Sequence, residues 1–147
     1  MKKMDKYSYQ CGVMDAFNEV VRAGVKRLAL AHPCDTKEER DSYLDYAQQL
    51  CEKYGNHMYV ENDSLLTDLF PISMNKDKFN VLFYRNESYR EAYFALKERK
   101  AKLVEDKLYK GDVRREIAWE FGKLLSYSDE AIERMIAEND ELEEFDF

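Results

Sequence analysis

The chain has 147 residues, 45% of them hydrophobic and 36% charged, the make-up of one globular domain with a sizeable core rather than of a disordered chain. A net charge of −7 argues against a reader of nucleic-acid phosphates, which would carry a basic footprint, and against docking on an anionic membrane surface. Three cysteines without C-x-x-C spacing, and no apolar run approaching the roughly 20 residues of a membrane span, point to a soluble protein of the reducing cytoplasm.

The first amphipathic segment runs from about Ser8 to Ala23, with Val13, Phe17, Val20 and Val21 on one face, and Gly24 marks its end. An apolar stretch, Val25 to Ala31, follows and breaks off at His32-Pro33-Cys34-Asp35. Thr36-x-x-Glu39 matches a capping box and opens a helix to about Tyr54, which Gly55 closes. The second apolar stretch, His57 to Val60, breaks off at Glu61-Asn62-Asp63-Ser64. Asp63 or Ser64 then caps a short helix over Leu65–Phe70, which Pro71 follows. The third stretch, Phe79 to Tyr84, breaks off at Arg85-Asn86-Glu87-Ser88, and a long helix extends from about Ser88 to Lys110 before Gly111.

Beyond it, Asp112 caps a helix carrying Ile117, Ala118, Phe121 and Leu124, and a last helix bears Ala131, Ile132, Met135 and Ile136. After Glu138 the chain is mostly acid, a composition expected to fray. Apolar strands alternating with amphipathic helices imply an α/β fold: a small parallel sheet of about three strands flanked by helices, with a helical C-terminal extension. No linker divides it. Residues 1–147 read as a single domain, with a sheet-forming part over 1–87, the long helix and helical cap over 88–139, and the acidic tail over 140–147.

If the three strands are parallel, their polar endings share one edge, where open α/β sheets place their ligands. That edge would gather His32 and Cys34 as a candidate base and nucleophile, with Asp35, Glu61, Asp63, Arg85 and Glu87 as candidate ligand-binding groups. A thiolate–imidazolium pair at a helix N-terminus is chemically reasonable, since the helix dipole lowers a thiol pKa. Cys34 and Arg40 also form the C-x5-R spacing of a phosphate loop. The three carboxylates between them would repel a phosphate dianion, however, and no glycine lets the loop bend. Clustered acids suit Mg²⁺ or proton transfer, yet Asp35 and Asp63 also occupy N-cap positions, and His57 starts its strand at the opposite edge from His32. No metal site is therefore expected, and no cofactor motif is present. A faint helix-turn-helix pattern around Gly122 puts an acidic helix, Asp129 to Met135, where a recognition helix would meet phosphates.

The basic stretch Lys97 to Arg115 contrasts with the acidic tail, which suits either solvated i, i+4 pairs or a tail lying against the helix. The long helix also outruns a three-stranded sheet, so its distal Leu103, Val104 and Leu108 call for cover by the C-terminal helices or by a second subunit, as in a homodimer. Two functional expectations follow. One is a non-catalytic module that binds a small anionic ligand or a protein partner at the strand tips. The other is a small enzyme, of hydrolase or isomerase type, using His32 or Cys34 with Glu61, Asp63 and Arg85.

Overall fold

The structure is a computed structural model that describes residues 2–147. Helix α1 (Lys6–Arg22) starts where the Asp5 side chain accepts from the Ser8 N–H, and leads through Gly24 to strand β1 (Leu28–Leu30). Two helices follow, α2 (Lys37–Asp41) and α3 (Leu44–Tyr54), where one continuous helix was expected. Thr36 caps α2 as the capping box predicts, accepting from the Glu39 N–H at 3.1 Å. Gly55 ends α3 with φ +70°, a left-handed turn that costs glycine no Cβ clash. Strand β2 (His57–Glu61), the one-turn α4 (Ile72–Asn75) and strand β3 (Asn80–Tyr84) complete the sheet-forming part. Helices α5 (Glu87–Glu105), α6 (Gly111–Leu124) and α7 (Asp129–Glu138) make up the rest.

The sheet has the order β1-β3-β2, and both pairings are antiparallel, so the expectation of a parallel sheet is overturned. The reason lies in the connections. Between β1 and β2 the 11-residue α3 carries the chain roughly 16 Å back along the sheet, so these two strands run the same way. Between β2 and β3 there is only the four-residue α4, and Pro71 precedes it rather than ending a helix over 65–70. The chain therefore re-enters at the end it left, with Glu61 opposite Asn80 and His57 opposite Tyr84.

The apolar run in β3 reports burial on both faces and says nothing of direction. Every residue of β3 is buried. Ala29, Val81 and Phe83 face α1 and α3, while Leu28, Leu82 and Tyr84 face α5, α6 and α7. Helices do flank the sheet on both sides, as expected.

Past Leu30 the β1–β3 ladder jumps register: Leu30 pairs with Leu82, but the next bridge joins Cys34 to Phe79. Four residues on one side match three on the other, a bulge at the proline, whose nitrogen has no hydrogen to donate.

Helix α5 is shorter than the sequence suggests, and Leu108, 53% exposed, is not covered by the chain's own C-terminal helices. Leu103 and Val104 pack on the core with residues of α6, α7 and the tail. The acidic tail lies in contact with α5 and α6. Glu143 pairs with Lys100 at 2.5 Å, its carbonyl accepts from Arg114 at 2.7 Å, and Phe145 sits edge-on to Tyr109.

Candidate functional site

Reversing β3 divides the expected edge into two. The ends of β1 and β2 stay together, but Arg85 and Glu87 leave from the far end of β3, four strand steps or roughly 13 Å from the Glu61–Asn80 pair. His32, Glu61 and Arg85 therefore share no cavity.

At the near end, the candidate nucleophile is closed in. Cys34 is 1% exposed, and its thiol points to the His32 carbonyl at 3.5 Å. Burial first, and then Glu39, push its pKa up to about 11, opposite to what a reactive thiolate needs. His32 is exposed beside it, and the cavity they share with Arg40 has about 10 Å³, room for a single water at most. Arg40 is committed to the backbone. Its guanidinium donates to the carbonyls of Glu61 (2.8 Å) and Asn80 (3.2 Å) and to Asn62 Oδ1 (2.7 Å), tying β2 to β3. The C-x5-R spacing is thus a structural clamp. Asp35 is at the surface, paired with Lys78.

Glu61 is 2% exposed and has three donors. Its carboxylate accepts from the Tyr93 hydroxyl (2.6 Å), Lys97 Nζ (3.0 Å) and the Asp63 N–H (2.9 Å), while Lys97 also donates to the Asp63 carbonyl at 2.6 Å. Burial, and then Glu61, raise the Tyr93 phenol far above its usual range, which suits a permanent donor rather than a proton carrier. A buried carboxylate with three donors holds the 61–65 turn on α5. The Asp63 side chain is exposed.

The far end is different in kind. There β1 and β2 begin, β3 ends and α5 starts, around a cleft of about 460 Å³ lined by Lys26, Arg27, His57, Arg85, Glu87 and Tyr89 among others. Three of these are cations without a carboxylate partner among the described residues. Glu87 is taken by Arg90 at 3.1 Å, and Asp129 by Lys123 at 2.6 Å.

The cations rest on backbone carbonyls instead. Lys26 donates to Leu125 at 2.6 Å, Arg27 to Lys123 at 3.0 Å and Arg85 to Arg22 at 3.3 Å. Those carbonyls belong to the ends of α6 and α1, whose last turns attract positive charge. Each guanidinium carries five N–H donors, so most remain free to meet an anion. Lys26 also lies 4.8 Å from the Tyr127 ring, and burial pulls its pKa below the usual lysine range.

His57, in the cleft lining, meets the buried Tyr84 ring at a 30° tilt with centroids 5.8 Å apart. Asn86 caps α5 by accepting from the Ser88 N–H at 2.9 Å. Among the described residues no three His, Cys, Asp or Glu side chains gather to hold a metal ion.

Of the expected site residues, only Arg85 and Glu87 line this cleft, and Lys26, Arg27 and His57 join them unforeseen. The signal was present in Lys26-Arg27, a basic pair directly before β1, which the sequence presents as part of an apolar stretch. No family model, curated protein or solved structure matches the chain. No helix is long and apolar enough to cross a membrane.

Proposed function

We propose that the protein is a non-catalytic binding module for a small anion, held in the cleft at the start of β1 and β2. One observation carries this reading. In a chain with 30 acidic and 23 basic residues, Lys26, Arg27 and Arg85 line one cleft with no ion-pair partner among the described residues, and the carboxylate beside them, Glu87, is paired with Arg90. The mutual repulsion of cations gathered in one cleft is relieved when an anion binds among them. Arginine also suits the task, because its planar fork matches carboxylate and phosphate oxygens two at a time. The enzyme reading loses its support, since Cys34 and Glu61 are buried, Glu61 is held by three donors and Arg85 is distant from both. Three free, buried cysteines suit a reducing, cytoplasmic setting.

The test is a titration of the full-length, isotope-labelled protein with inorganic phosphate, followed by amide and imidazole resonances. Shifts confined to Lys26, Arg27, His57, Arg85 and Asn86 are expected. Arg85→Gln keeps the fold and weakens binding roughly tenfold or more, the loss of one charge-assisted hydrogen bond. Phosphate that moves none of these resonances, or binds Arg85→Gln equally well, refutes the reading.

A further inference from the structure

A second cavity, of about 310 Å³, runs along the open edge of β1, and its walls are apolar: Phe17 and Val20 from α1, Leu30 from β1, and Leu125 and Tyr127 from the turn between α6 and α7. β1 is an edge strand, so this side of it has no neighbouring strand. The groove shares one residue with the cationic cleft, Lys26. The lysine lies between two solvents of opposite character. Its ammonium donates to the Leu125 carbonyl and lies over the Tyr127 ring, both in the groove wall, and the same lysine lines the cleft with Arg27 and Arg85.

Neither cavity alone accounts for this arrangement. A free inorganic anion would use the cleft and leave an apolar groove open to water. A neutral apolar molecule would fill the groove and leave the cations unmatched. We infer that the ligand is an amphipathic anion, a carboxylate or phosphate head on Lys26 and Arg27 with an unbranched apolar chain lying in the groove beside Leu30. This inference rests on the anion-binding reading above and adds the chemical class of the ligand. The charge complementarity of the head and the position of Lys26 in the lining of both cavities select this occupant over a polar peptide strand. The edge of β1 is only three residues long and is followed by the bulge at Pro33, so it offers an incoming strand little ladder.

The experiment is a calorimetric titration of the full chain with acetate, hexanoate and decanoate, each below its micelle concentration, and with decanol as the uncharged control. Affinity is expected to rise roughly fourfold for each added methylene until the groove is full, the increment of burying one CH₂. Decanol should bind at least tenfold more weakly than decanoate. Val20→Asn and the surface variant Met74→Glu at the groove's far end should flatten the chain-length dependence and leave phosphate binding intact. Equal affinity for acetate and decanoate would overturn the inference while the anion reading stands. Failure of phosphate and all three carboxylates would overturn both. Decanol binding as tightly as decanoate would show that the head is not read, and a peptide ending in a free carboxylate that displaces decanoate from the groove and outbinds it by tenfold would replace the ligand class.

Discussion

Lys26→Met separates a ligand-binding lysine from a structural strut. In the folded protein the Lys26 ammonium is half-buried, meets the Leu125 carbonyl at 2.6 Å and the Tyr127 ring at 4.8 Å, and faces no carboxylate. Removing it forfeits a charged hydrogen bond, about 1.5–3 kcal/mol at most, and a cation–π contact of about 0.5–1 kcal/mol, both diminished by exposure. Against this, the desolvation of an unpaired charge disappears, and methionine keeps the apolar stem packed. The two sides come within about 1 kcal/mol of each other, so the melting curve should scarcely move. Phosphate affinity should fall roughly 10- to 100-fold.

The pH dependence carries an additional sign. Because burial lowers the Lys26 pKa in the folded state, the unfolded chain holds this proton more tightly. Its contribution to stability therefore rises as pH climbs from the folded pKa to the ordinary lysine value, about 10.4, and levels off above. Anion binding needs the charged ammonium and weakens over the same window. Wild type minus Lys26→Met, measured by urea unfolding and by phosphate titration at matched pH, should show the two quantities moving in opposite directions. A variant that loses more than about 2 kcal/mol of stability, yet binds phosphate as before, would show that Lys26 only braces the end of α6.

Three further outcomes test the reading of the fold. All three cysteines should alkylate slowly at neutral pH and rapidly in denaturant, since burial raises the pKa of Cys34 and Cys51 to about 11 and raises that of Cys11 as well; fast labelling of Cys34 alone would revive the nucleophile. Gly122→Ala should destabilise by about 1–3 kcal/mol, because its Cβ would meet Ile132 Cγ1 at 2.6 Å, whereas Gly12→Ala, with nothing within 4 Å, should gain up to about 1 kcal/mol in the same melts. Tyr93→Phe should cost about 1–3 kcal/mol by chemical denaturation, since it strips one donor from buried Glu61 and an acceptor from the Leu65 N–H.

Sequence patterning located the strands, the cap at Thr36 and the turns at Gly24 and Gly55, because those signals are local and each has a single physical cause. Strand direction was not local. It depended on whether the segment from 62 to 79 held a helix long enough to cross the sheet, and Pro71 next to a single helical turn was the sign that it did not. That error moved Arg85 to the wrong end and hid its neighbours Lys26, Arg27 and His57. Burial misled in a second way. Glu61 and Arg40 have the residue types of a reactive site, and only the donors and carbonyls around them reveal two clamps between strands, turns and helices.

Setting β3 between β1 and β2 has a consequence for how the molecule is made. A nascent chain that has left the ribosome only as far as Phe79 contains both outer strands but not the one that joins them. At roughly 4.8 Å per strand, those two lie about 10 Å apart and share no ladder. An N-terminal fragment that ends before β3 cannot hold this sheet together, so the sheet closes only once residues 80–84 have been made.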